Sequence, residues 1–121
     1  MLAHPALQLY APDRTWDETV HELKSRTDGM VRHGRLGRTV ADELLAAAVA
    51  LVETAVVIVP EDVYAQLRGR AVRRVPRDPE DWPAVALAMV IDGGIWTADA
   101  DFLGCGVPTW TTDTLAAELE P

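Results

Sequence analysis

The residues of this 121-residue chain best suited to chemistry are carboxylates. Asp81 stands directly before the apolar run Trp82–Ile91, and Asp99 and Asp101 follow the short apolar stretch Ile95–Thr97. Glu18 lies far upstream, in the segment Thr15–Arg26. Oxygen donors carrying net negative charge are what a hard divalent cation takes as ligands. From Asp78 to Pro121 there are nine acids and no Lys or Arg. Carboxylates without basic partners repel one another unless water, protons or a cation stand between them. Each acid also has an ordinary role open to it. Asp81 can cap a helix N-terminus, which stabilises by ~1 kcal/mol. Asp99-Ala-Asp101 can form an Asx-turn, and Asp78 reads as a turn residue before Pro79 rather than a ligand. Glu18 alone can be a solvated helix residue. The joint placement of these acids carries the argument.

Other constellations are poorer. His4, His21 and His33 lack metal-ligand spacing such as H-E-x-x-H. Cys105, the single cysteine, rules out an internal disulfide and a cysteine-cluster zinc site, and fits a reducing cytosol. Between Gly104 and Gly106 it reads as a small residue in a tight loop. Gly93-Gly94 ends a helix rather than opening one, so it is no phosphate loop. The four tryptophans read as packing residues.

Nineteen acids against eleven bases give a net charge of −8, which disfavours a blanket electrostatic nucleic-acid binder. The bases are concentrated, however. Lys24–Arg38 holds five, including Arg35 and Arg38, against Asp28; Tyr64–Arg77 holds five arginines, among them Arg70 and Arg74, and no acid. Solvated helix faces are the plain reading of either stretch, and tracking of a phosphate backbone is the functional one. The most apolar region, Val40–Pro60, is interrupted by Asp42, Glu43 and Glu53, short of the ~18–20 apolar residues a membrane span needs. Met1–Pro5 shows no basic, then apolar, leader pattern. A soluble, cytoplasmic, single domain over residues 1–121 is the expectation.

The elements that must position the acids can be read in order. Leu7–Tyr10 reads as a strand closed by Ala11-Pro12-Asp13. Trp16, Val20 and Leu23 give Thr15–Arg26 a helical period, and Gly29–Gly37 reads as a basic loop. Thr39 with Asp42 suits a capping box for a helix so apolar through Leu44–Val52 that it should be heavily buried. Ala55–Val59 is β-branched and non-alternating, the pattern of a strand covered on both faces. Glu61–Val75 reads as one helix, and Ala84–Ile91 as an apolar helix with Pro83 tolerated at its second position. Ile95–Thr97 and Pro108–Thr111 are short strands, and Thr112 or Asp113 can cap a final helix through Leu119. Helices alternating with strands make an α/β fold, a parallel sheet between helical layers. In such sheets the ligand site lies beyond the carboxyl ends of the strands. Asp99 and Asp101 follow a strand, and Asp81 and Glu18 lie near the starts of helices that run antiparallel to strands, so all four face that rim.

The runs Arg77-Asp-Pro-Glu-Asp-Trp-Pro-Ala-Val-Ala-Leu-Ala-Met, Ile95-Trp-Thr-Ala-Asp-Ala-Asp-Phe and Val107-Pro-Thr-Trp-Thr-Thr resemble the C-terminal half of a PIN domain (PilT N-terminus-like). Leu9-Tyr-Ala-Pro and Trp16-Asp-Glu-Thr-Val-His-Glu-Leu are similar to the second strand and following helix of bacterial members, so the resemblance covers almost the whole chain. It implies a three-layer α/β/α fold and a metal-dependent ribonuclease using Mg²⁺ or Mn²⁺. The acid after the second strand then matches Glu18, with Glu22 the weaker choice. The acid opening the Ala-Leu-Ala helix matches Asp81, that of Thr-x-Asp matches Asp99, and Asp101 takes the auxiliary position. RNA would be the substrate, with Arg35, Arg38, Arg70 and Arg74 on its backbone. An antitoxin protein and a second copy of the chain are the implied partners. The family begins with a central strand ending in Asp, and nothing before Leu7 resembles it. The resemblance therefore implies an N-terminally truncated fold with one metal ligand missing and two inner sheet edges unpaired. Met1 is then not the true beginning, or the N-terminal segment is remodelled, or a partner supplies the strand. A PIN-like module that binds RNA or protein without catalysis is the alternative reading.

Overall fold

In a computed structural model that describes residues 4–120, two short parallel ladders set the frame. Met1–Ala3, part of the stretch read for a leader, lie outside the described residues. Strand β1 (Leu9–Pro12) pairs in parallel with β2 (Val56–Val59), Leu9 opposite Val56 and Pro12 opposite Val59. Parallel neighbours need a long crossover, and the helical hairpin of α1 (Asp13–Arg32) and α2 (Arg38–Ala55) provides it. Strand β3 (Ile95–Trp96) pairs in parallel with β4 (Thr109–Trp110). The expected mixed α/β fold with parallel strands is therefore present, but its sheet comes in two pieces.

Between the pieces lies a cleft of about 420 Å³, lined by all of β1 and by Ile95 and Trp96 of β3. The N–H groups of Ile95 and Thr97 donate to the C=O of Pro108, just before β4 (2.8 Å), and of Trp110, at its end (2.9 Å). Ladder alternation then turns the Trp96 N–H and C=O towards the cleft. Among the described residues β1 pairs with β2 alone and β3 with β4 alone.

Helix α5 (Trp82–Ile91) is the centre of the core. Its Ala, Leu and Met residues favour helix, and it is apolar all round, so it is buried on most sides. Trp82, Pro83, Val85, Ala86, Leu87 and Ala88 are all buried, packed with Tyr64, Val75, Ile95, Phe102 and Cys105. Each large side chain so enclosed contributes ~1.5–3 kcal/mol. Pro83 sits in the first turn as expected. The left-handed residue ending the helix is Asp92 (φ 54°), while Gly93 N–H closes back on Ala88 C=O (2.9 Å).

Several expectations are corrected. Helix α2 is not heavily buried. Ala41 is its one buried residue, and Leu44 and Leu51 are 55% and 56% exposed. It packs against α1 and β2, and its remaining apolar stripe faces solvent. For the same reason β2 is not covered on both faces, as Val57 is exposed. The Thr39–Asp42 capping box does not form. Gly37 occupies the cap position, and Arg38 instead bridges Asp28 (2.7 Å) and Asp42 (3.4 Å). Helix α1 starts at Asp13 and absorbs much of the expected basic loop. The segment read as one helix over Glu61–Val75 breaks into α3 (Glu61–Tyr64), a 3₁₀ turn (Ala65–Leu67) and α4 (Arg68–Arg74). Thr111, with Thr114, forms the capping box of α6 (Thr112–Leu119).

Candidate metal centre

A pocket of about 250 Å³ is lined by Glu18 from α1, by Glu80 and Asp81, and by Thr97 at the end of β3. It lies at the carboxyl end of β3, where the topology places a ligand. Asp81 closes a 3₁₀ turn (Pro79–Asp81) and holds the N-cap position of α5, yet its side chain makes no capping hydrogen bond. Asp78 is the residue that caps, accepting from Glu80 N–H at 3.3 Å. Asp81 Oδ2 is buried without a hydrogen-bond partner, alone in this among the described side chains. The ordinary role open to Asp81, helix capping, is therefore not the one it plays.

An unpartnered buried carboxylate oxygen is costly. Burial pushes the Asp81 carboxyl above its ordinary value, and the charges of Asp78, Asp99, Asp101 and Glu18 push in the same direction. The other three acids named from the sequence, Glu18, Asp99 and Asp101, are thus each within electrostatic reach of Asp81. The closest group differs from that set. One oxygen each from Asp78, Asp81 and Asp101 all lie within 4.8 Å of one another. Asp99 and Glu18 stand beside this trio.

Local turns explain the trio. Asp99 Oδ1 accepts from Asp101 N–H (2.9 Å), and Thr97 Oγ1 accepts from Asp99 N–H (3.0 Å). The Asx-turn weighed against a ligand role therefore exists, and it is what sets Asp101 beside Asp81. Asp78 was missed as a site residue because its turn role was visible and sufficient. The spacing Asp78–Asp81 was the signal: three residues make one 3₁₀ turn and bring both to one side.

Two cations border the acids. Arg77 Nη1 lies 3.9 Å from Asp101, and Arg14 lines the pocket while pairing with Glu61 at 3.3 Å. The arginines named from the sequence lie elsewhere. Arg35 is exposed after α1, Arg38 is held by Asp28 and Asp42, and Arg70 and Arg74 line a separate cavity with Gly94 and Pro108, the residues preceding β3 and β4. A further acid anchors the wall. Asp13 accepts from Tyr64 OH (2.5 Å), Glu61 N–H (3.0 Å) and Arg14 N–H (2.8 Å). These bonds, led by that of Tyr64, hold its carboxyl below the ordinary range despite partial burial.

The donors are all carboxylate oxygens, and one is buried with nothing to bind. That set fits a hard divalent cation. A family profile described as PIN domain matches residues 1–120 of the chain. None of the curated proteins or solved structures compared with the chain matches it.

Proposed function

The chain belongs to the PIN domain family, and from that premise we propose that its acidic pocket is the metal centre of a ribonuclease. Asp81 with Asp78 and Asp101 would hold Mg²⁺ or Mn²⁺, and Asp99 and Glu18 would complete the charge around it. The observation carrying this reading is the buried, unpartnered Asp81 Oδ2 beside two further carboxylates. When bound, such an ion supplies Lewis-acid stabilisation of phosphate oxygens and lowers the pKa of water. The chain's own residues do the rest. The acids repel a phosphodiester until their charge is balanced, Arg14 in the pocket lining and Arg77 beside Asp101 would be its phosphate contacts, and the Asx-turn of Asp99 fixes Asp101. The family resemblance extends this reading to a toxin whose partner is an antitoxin protein, and to a homodimer.

Incubating the protein with single-stranded RNA tests the proposal. Cleavage should require Mg²⁺ or Mn²⁺ and be lost in Asp81→Asn and Asp99→Asn. Equal cleavage by wild type and both variants would refute it. A second reading, an RNA- or protein-binding module without catalysis, is favoured by the interruption of the sheet between β1 and β3 next to the pocket. It expects RNA association without cleavage and no thermal stabilisation by Mn²⁺.

A further inference from the structure

A second cavity lies apart from the acidic pocket. It measures about 480 Å³ and is walled by Arg70 and Arg74 of α4, by Asp92 and Gly94, and by Pro108 and Trp110. It opens where β3 and β4 begin, the end opposite to that carrying Thr97 and Asp99.

Arg70 and Arg74 are four residues apart, on one face of α4. Among the described residues neither forms an ion pair. Arg74 is nevertheless positioned. Its Nη1 donates to Cys105 C=O (3.4 Å), and its guanidinium lies across Gly106, where a Cβ would approach Nη1 to 2.7 Å. Gly106 has φ +90°, so the loop presents bare backbone for the guanidinium to rest on. On the other wall, Gly94 lets the indole of Trp110 come close, since a Cβ there would meet Nε1 at 2.9 Å. Trp110 is the aromatic residue of the lining, the Nε1–Cδ1 edge of its indole close to Gly94. Asp92 is the one acid in the lining, exposed at the end of α5.

Guanidinium forks match phosphate oxygens in pairs, and indole faces hold nucleobases. A concave site of this size suits a small ligand. We propose that this cavity binds a nucleotide, its phosphate on Arg70 and Arg74 and its base against Trp110. The nucleotide is either free or one unit of an RNA strand, and the chemistry recognised is the same. The proposal does not depend on the metal centre.

Calorimetric titration of the metal-free protein in chelator tests it, using AMP, a short oligoribonucleotide and inorganic phosphate. AMP or the oligonucleotide should bind wild type, and Arg70→Gln should weaken that binding at least roughly tenfold, as loss of a charge-assisted hydrogen bond does. Arg70 is exposed, so its substitution should leave the unfolding temperature unchanged. Asp81→Asn should bind as wild type does, which separates this site from the acidic pocket. Tighter binding of the oligonucleotide would identify RNA as the source, and equal or better binding of AMP the free nucleotide. No binding of either at millimolar concentration, equal binding to Arg70→Gln, or phosphate binding as tightly as AMP would overturn the proposal.

Discussion

Asp81 is costly to the metal-free fold, because one of its carboxylate oxygens is enclosed without a partner, its neighbours are acids and it makes no cap bond. An acid whose native pKa is raised binds protons more tightly folded than unfolded, so its charge costs stability once the pH exceeds both values. Above its raised native value that cost is fully present; it is relieved as the pH falls towards the ordinary value of 3.8. Asp81→Asn should therefore raise the unfolding temperature of the metal-free protein at pH 7, measured by calorimetry. Asp13 has the opposite sign. Its lowered pKa stabilises the fold above about 3.8, and that contribution is lost as the pH falls through the native value. Tyr64→Phe removes its strongest partner and should cost about 1–3 kcal/mol in urea unfolding at pH 7. Asp81 and three of the acids near it, Glu18, Asp99 and Asp101, could be named from residue type and topological position. Asp78 was not, because a turn role explained it fully and ligand geometry depends on a 3₁₀ turn that sequence spacing only suggests.

Among the elements, α5 and α2 make a contrast that periodicity alone cannot resolve. Both are rich in Ala, Leu and Val, yet α5 lies in the core while α2 leaves Leu44 and Leu51 about half exposed. What decides burial is the number of neighbours a helix has, which is a property of the assembled fold. Leu87→Ala should cost about 2–5 kcal/mol, whereas Leu44→Ala should stay within about 0.5 kcal/mol of wild type; denaturant unfolding of both checks this. Helix existence and order were legible in the sequence. Caps and breaks were less so, because Arg38 found two acid partners in place of the Thr39 box, and the Glu61–Arg74 segment gave way to a 3₁₀ turn at Ala65–Leu67. In the Gly104–Gly106 loop the tight turn was legible and its contact with Arg74 was not. Gly106→Ala puts a side chain at a left-handed φ and displaces that guanidinium, and the backbone strain alone should cost about 1–3 kcal/mol.

The described residues form a parallel α/β frame divided at β1 and β3, with acids at one end of β3 and, at the other, two arginines without an ion-pair partner among them. This arrangement would reconcile a net charge of −8 with the proposed nucleic-acid chemistry, since the negative charge is partly gathered where a cation would neutralise it. Parallel strands alternating with helices were legible in the sequence, while the division of the sheet and the cleft beside it required the three-dimensional placement of α5 and β1. The claim on which the account rests is that Asp81 is a cation ligand. Thermal unfolding of wild type and Asp81→Asn with increasing Mn²⁺ measures it directly. A ligand bound only by the native state stabilises by about 2.7 kcal/mol at a hundredfold excess over its dissociation constant. Wild type should therefore rise steadily in unfolding temperature with Mn²⁺, and Asp81→Asn, higher at the outset, should not move. A wild type unmoved by millimolar Mn²⁺, or a variant that rises equally, would contradict the account.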